Sequence, residues 1–330
     1  MSRFGRGAFI AITVMSLLVI PVRAENAEAE LETAVSYSIS TAEEFIVSAT
    51  IEAQLLGSRG TGNIAGETEL SSAELGSLSE IQPYYAPYER SSRRQDEANS
   101  AFIPYSVFEP DERRVVINTT EFPARAVVQI SFFVDSKPSA CSGVLVAANV
   151  VLTAGHCIIS NGSWHTNFKI YPGRNGAVKP YGVCGAKNLF SLSAWARPRA
   201  GADPREFDMG AIKLDCDIGS RTGWLELRAQ DSVDGENTTI RGYPCDKTPA
   251  GRQWLSVDEV RSFSSSKIYY QNDTYGCMSG SPVILGSSDD SVFAVHTNGP
   301  HGVDDWAENN SGTKLTERRI QLVLSFVGGS

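Results

Sequence analysis

From about Ser106 onward the chain alternates short apolar runs with polar turns. The runs "AVVQISFFV", "SGVLVAANVVLTA", "TTIRGY", "SPVILG" and "SVFAVHT" are rich in Val, Ile and Phe. Between them lie Gly- and Asn-containing breaks such as "NGSW", "YPGRNG" and "VDGENT". β-branched and aromatic residues in short stretches, bounded by turn formers, predict many short strands and an all-β domain. One late stretch departs from this texture. "TERRIQLVLSFV", Thr316 to Val327, has helical spacing, and Thr316 is placed to cap it.

Residues 25–105 read differently. They hold fourteen acidic and four basic residues, no cysteine, and much Ser, Ala, Glu and Gly. They end in "PYYAPYERSSRRQDEANS", a polar stretch with two prolines and an Arg-Arg pair. This composition predicts an acidic pro-segment followed by an exposed, cleavable linker. Ahead of it, residues 1–24 carry Arg3 and Arg6, the apolar run Ala8 to Ile20, and the small-residue site Val22-Arg23-Ala24. That is a signal peptide for export to an extracellular or periplasmic space. An apolar run of about 13 residues is too short to serve as a stable membrane anchor.

Composition narrows the function further. Of the 330 residues, 42% are hydrophobic and 20% charged, enough apolar material for a sizeable core. A net charge of −9 argues against a nucleic-acid partner. The six cysteines, 141, 157, 184, 216, 245 and 277, all follow residue 140. An even number in an exported chain favours three disulfides over metal ligation, although fifteen pairings are formally open. The four histidines, 156, 165, 296 and 301, show no metal-ligand spacing, so neither a metal nor another cofactor is expected.

Three stretches carry candidate chemistry. A serine hydroxyl needs a histidine to take its proton, an acid to hold that histidine's tautomer, and N–H groups to stabilise the oxyanion. "GCMSGSPV" offers Ser279 and Ser281, "VLTAGHC" offers His156, and "FDMGAIKL" offers Asp208 at the mouth of an apolar strand. Their order along the chain is His, Asp, Ser.

Together these stretches resemble the chymotrypsin-fold serine proteases. The resemblance narrows to the glutamyl endopeptidase branch, and within it to the enzymes from Bacillus. It is carried by "DERRVVINTTEFPARAVVQI", "RGYPCDKTPAGRQW", "NDTYGCMSGSPV" and "AVHTNG", and covers residues 106–330 but none of the acidic segment. It implies two Greek-key antiparallel β-barrels, about 106–225 and 226–330, with a C-terminal helix and the site between the barrels. It implies a triad of His156, Asp208 and Ser279, with Ser281 as a packing residue and the N–H groups of Cys277 and Ser279 as the oxyanion hole. It further implies that Thr274 and His296, as a hydroxyl and a partly protonated imidazole, donate to a P1 glutamate carboxylate. Protein or peptide substrates and a monomeric enzyme follow from the same likeness.

Cysteines 245 and 277 stand where this branch usually has glycines, and that paired departure suggests a bond between them. The family pattern implies Cys141–Cys157, and elimination leaves Cys184–Cys216. Two alternatives stay open at this level. Asp273 lies six residues before Ser279, where trypsin places its cation-selecting acid, so cleavage after Lys or Arg is the first. A binding protein whose oxyanion hole is spoiled by Cys277 is the second.

Overall fold

A computed structural model describes residues 33–48, 57–64, 68–69, 71, 82–83, 106–286, 290–301 and 304–328. The signal peptide and the cleavage linker expected after Arg90 lie outside the described residues. The principal strands are β1 (Ala34–Ser38), β2 (Glu43–Val47), β3 (Arg114–Val115), β4 (Val127–Val134), β5 (Lys137–Ala147), β6 (Val150–Thr153), β7 (Thr166–Pro172) and β8 (Ala186–Leu192). They continue with β9 (Gly210–Leu214), β10 (Asn237–Gly242), β11 (Trp254–Phe263), β12 (Lys267–Tyr270), β13 (Pro282–Leu285), β14 (Ala294–Asn298) and β15 (Asn310–Lys314).

Two antiparallel barrels result. The first follows the order β7-β4-β5-β6-β9-β8, and its ends meet through the isolated bridge Ile170–Cys184. The second follows β10-β13-β14-β15-β12-β11 and closes where β11 pairs back onto β10. Local sequence explains the tight corners. Asp135 and Ser136, both with positive φ, form the two-residue turn between β4 and β5, and short polar residues tolerate that conformation best. The β6 stretch Val150–Thr153 is buried throughout, as expected of an unbroken apolar run, whereas β11 alternates buried and exposed positions.

The termini cross between the barrels. β3, which precedes the first barrel in sequence, pairs with β11 of the second. The C-terminal helix spans Glu317–Gly328 and is capped by the Thr316 hydroxyl, which accepts from Arg319 N–H at 3.2 Å. It buries Ile320, Leu322, Val323 and Phe326, and Phe326 meets Phe190 of β8 at 5.1 Å between ring centres. Arg319, buried in the same face, donates to the carbonyls of Ser266 and Lys314 and to that of Glu206. The helix therefore clamps the second barrel to the loop that carries Asp208.

Three disulfides are formed: Cys141–Cys157, Cys184–Cys216 and Cys245–Cys277, with Cα separations of 6.2, 6.0 and 5.6 Å. The first closes a loop spanning 16 positions, worth about 3 kcal/mol in the chain-entropy picture. The acidic segment contributes structure that its composition did not announce. β1 pairs antiparallel with β8, and β2 pairs with β1.

Candidate active site

His156 lies in a single 3-10 turn, Gly155–Cys157, directly after β6. Its imidazole Nδ1 is 2.7 Å from Asp208 Oδ2, and its backbone N–H donates to Asp208 Oδ1 at 2.9 Å. Both carboxylate oxygens thus grip one residue, which fixes ring and backbone together. The Nδ1 proton faces the acid, leaving Nε2 to act as a base. Trp195 supports the ring from the side, edge-on at 6.2 Å, and comes so close to Gly155 that a Cβ there would lie 2.6 Å from the indole.

Asp208 is fully buried. A carboxylate withdrawn from water needs positive charge or donors around it. Lys267, on β12 and also fully buried, supplies charge from the second barrel. Its Nζ donates to Thr297 Oγ1 at 2.7 Å and lies 3.3 Å from Asn298 Oδ1, Thr313 Oγ1 and the Arg205 carbonyl. Burial lowers its pKa to about 7, while Asp208 heads the charges that hold the proton on; Asp203 and Glu206 act in the same sense and Arg319 against it.

Ser279 sits on the second barrel's loop before β13. Ser142 of β5 grips that loop from the first barrel at two points. Its N–H donates to the Ser279 carbonyl at 2.8 Å, and its Oγ donates to the Cys277 carbonyl at 2.9 Å while accepting from Tyr243 N–H. The Ser279 carbonyl also lies 3.8 Å from Cys157 Sγ, beside His156. The Cys141–Cys157 disulfide therefore ties the residue next to Ser142 to the residue next to His156. Gly280 is required here. It has φ +87°, and a Cβ would fall 2.1 Å from both the Ser142 carbonyl and Thr153 Oγ1. Ser281 is wholly buried against Gly242, where a Cβ would approach its Oγ to 2.0 Å, so this hydroxyl packs.

Cys277 adopts φ +77°, a left-handed conformation that glycine takes freely and cysteine does not. Two linkages hold it there. Cys245 N–H donates to the Gly276 carbonyl at 3.0 Å, and the Cys245–Cys277 disulfide joins the same two loops. Anchoring the Gly276 oxygen turns the Cys277 N–H to the opposite side of that peptide. Among the described residues neither Cys277 N–H nor Ser279 N–H donates to another protein group. Two donors without a protein acceptor at this point are compatible with an oxyanion.

The residues expected to receive the P1 side chain are withdrawn from solvent. His296 and Thr274 are both buried. Tyr270 Oη lies 2.9 Å from His296 Nδ1. Burial raises the phenol well above its ordinary range, so it keeps its proton and donates it to Nδ1. Burial also lowers His296 to about 3, with the Lys267 and His156 charges adding to the effect and the Ser311 carbonyl opposing it. The imidazole is accordingly neutral, not partly protonated as expected, and its ring lies within hydrogen-bond reach of the Ser311 carbonyl. Asn310 Nδ2 orients the Thr274 hydroxyl at 3.1 Å and also reaches the carbonyls of Asn272 and Ser106. Ser106 in turn accepts from Thr274 N–H at 2.8 Å, so the first residues of the domain abut the pocket.

Asp273 is turned toward the 108–112 segment. Its two carboxylate oxygens accept from Phe108 N–H and Glu112 N–H, each at 2.6 Å. Backbone amides that already occupy this acid weigh against the trypsin-like alternative. His165 and His301 are structural; one meets Ser160 Oγ and stacks on Phe132, the other meets the Gly299 carbonyl and Trp306.

Residues 116–296 match the family model described as Trypsin, which is more than half of the chain. The chain belongs to the trypsin family. Curated relatives agree with this trypsin-family assignment. A glutamyl endopeptidase of Bacillus licheniformis is 38% identical over 236 residues, covering 68% of this chain and 71% of the relative. A Bacillus subtilis protein named extracellular metalloprotease is also 38% identical, over 220 residues that cover 64% and 67%. A solved Glu endopeptidase, in complex with MPD, superposes with a TM-score of 0.60 at 27% identity, covering 68% of this chain and all of that one. This trypsin-family member is a serine endopeptidase.

The metal in the second relative's name finds no counterpart in the donors here. Among the described residues two groups are close enough to hold an ion, Cys141/His156/Cys157 and Cys184/Asp215/Cys216. In each, both sulfurs are consumed in a disulfide, so no thiolate remains to bind a cation.

Proposed function

We propose that the protein is an exported endopeptidase that cleaves peptide bonds after glutamate, with Ser279 as nucleophile. His156 Nε2 takes the hydroxyl proton as Ser279 attacks the scissile carbonyl. Asp208 keeps Nδ1 protonated and stabilises the imidazolium that forms. The tetrahedral oxyanion enters the space between the N–H groups of Cys277 and Ser279. His156 then returns its proton to the departing amine, and the acyl-enzyme is hydrolysed by the reverse sequence with water as nucleophile.

The observation that carries the specificity is the Tyr270–His296 pair. Tyr270 fixes the His296 ring through Nδ1, and Asn310 holds the Thr274 hydroxyl, so both residues that the likeness assigns to the P1 carboxylate are positioned by neutral partners. Hydroxyl and imidazole donors suit a carboxylate and offer little to an ammonium. A carboxylate brought next to the imidazole would favour its protonation and strengthen the bond. Similarity to glutamyl endopeptidases supports the same substrate class.

The signal peptide and the charge step near residue 105 support synthesis as a precursor, cut between about Arg90 and Ser106. Three disulfides suit an oxidising compartment. Among the described residues no helix is long and apolar enough to cross a membrane. The matured enzyme acts on protein or peptide substrates as a monomer. A peptide library varied at P1 tests the specificity: cleavage should concentrate after Glu, with Asp weaker and Lys or Arg poor. Dominant cleavage after a basic residue would refute it.

A further inference from the structure

The first barrel is not closed by its own strands along its whole length. Its terminal strands β7 and β8 meet at the Ile170–Cys184 bridge, yet residues 188–192 of β8 pair with β1 instead. The register runs from Ala34 opposite Leu192 to Ser38 opposite Asn188. Ala34 is fully buried and Val35 99% buried, so the acidic segment supplies side chains to the barrel's interior seam.

The attachment continues beyond that strand. Tyr37 stacks on Trp164 at 5.2 Å, and Glu44 accepts from Trp164 Nε1 at 2.6 Å while pairing with Arg197. Ser193 N–H donates to the Thr33 carbonyl at 2.8 Å, at the start of the short helix Ser193–Ala196 that carries Trp195 against His156. Farther along, Ser58 and Trp224 exchange two backbone hydrogen bonds of 2.9 and 2.7 Å. Gly62 N–H donates to Arg221, Arg59 pairs with Asp290, and the Arg59 carbonyl accepts from Arg125. Gly60 crosses so near Gly223 that a Cβ would lie 2.3 Å from its nitrogen.

These contacts resemble those within a fold and not those of a tail. They combine ladder pairing, buried apolar side chains and close backbone approach. Among the described residues of 33–63 none of these contacts falls on Cys277, Ser279, Thr274 or His296, while Gln82–Pro83, nearer the linker, pair with Ser139–Ala140 of β5. We infer that the acidic segment, once the linker is cut, remains on the 106–330 domain through residues 33–48 and 57–63 as a non-covalent second chain that closes the seam of the first barrel. This rests on the proposed cut between Arg90 and Ser106, and it differs from release of the segment as a free peptide. Strand addition to an open sheet edge holds by main-chain hydrogen bonds, with alternate side chains setting specificity. Here the specificity comes from Ala34, Val35, Tyr37 and Glu44.

The test uses the full exported chain carrying Ser279→Ala, to prevent self-digestion, with a site for a specific protease placed within residues 91–100. After cutting, native size exclusion at micromolar concentration is followed by intact-mass measurement of the peak. The fragment containing residues 33–63 should co-migrate one-to-one with the larger piece. Val35→Asp should weaken retention by at least about tenfold. If Val35→Asp does not fold, Glu44→Ala removes the Trp164 and Arg197 contacts from the rim and should speed release of the fragment severalfold. Separate migration of the unsubstituted fragment would overturn the inference. N-terminal sequencing of the secreted wild-type enzyme tests the natural cut independently, since a mature chain still beginning near Glu25 would refute processing and leave the docking result standing.

Discussion

The two barrels contribute unlike halves of the site. The first barrel presents His156 and Asp208 from turns pinned by a disulfide, a bidentate carboxylate and a packed indole. The second presents a loop and a pocket held mostly by neutral hydrogen bonds among Tyr270, Thr274, Asn310 and His296. One half fixes a proton path and tolerates little variation. The other fixes a selectivity and can be altered with the chemistry intact. The division is incomplete, because Lys267 of the second barrel compensates the first barrel's acid, and Ser142 of the first barrel holds the second barrel's nucleophile.

The largest effect should separate the two serines. Ser279→Ala should lower kcat by about 10⁶, while Ser281→Ala keeps activity within severalfold, measured on the same glutamyl substrate. If the two variants were equally impaired, the nucleophile would be misassigned. Next comes the proton path. Asp208→Asn should cost about 10⁴ in kcat with the fold intact, because the amide cannot hold the same tautomer. Removing the compensating cation should act on pH dependence more than on rate. Without the Lys267 charge the imidazolium is easier to form, so Lys267→Met should move the acid limb of the kcat/KM profile to higher pH. A purely structural lysine would lower activity at every pH alike.

The selectivity half should yield smaller numbers. His296→Ala should reduce kcat/KM for glutamyl substrates at least about tenfold, the 1.4 kcal/mol of one charge-assisted hydrogen bond. Asp273→Asn should leave P1 preference unchanged and loosen the 108–112 segment instead. A last effect, on the fold and not on the rate, concerns stability against acid. His165 and His301 are lowered to about 4 and His296 to about 3, chiefly by burial. Each is neutral when folded and takes up a proton more readily when unfolded. Their contribution is therefore complete above about pH 6.5 and is lost as pH falls toward 3 to 4. Denaturant midpoints measured from pH 7 to pH 4 should decline steadily, and His165→Phe should flatten part of that slope.

The His156–Asp208 pairing was legible because each residue sits at a strand end inside a short local signature. The helix was legible from its spacing and from Thr316. Ser142, Lys267, Tyr270 and Asn310 had no such signal. Each is one position in a strand, and its role depends on what the other barrel brings opposite it. Burial of His296 likewise depends on tertiary packing, which is why its protonation was misread. The strands of the acidic segment escaped notice because "AVSYS" and "EEFIV" are five residues each in a Ser- and Glu-rich stretch. Pairing with β8 makes them strands; their own composition does not.

The contact between Ser142 and the loop around Gly280 has a consequence for inheritance. A glycine whose Cβ, were it present, would fall 2.1 Å from another barrel's carbonyl allows no slack for drift on either side. Two relatives that have each adjusted this seam would not exchange halves freely. A hybrid with one parent's residues up to 225 and the other's from 226 should fold barrel by barrel yet stay inert, unless the residues facing 142 and 280 came from one lineage. The smallest heritable unit of this activity is thus the seam and not the barrel.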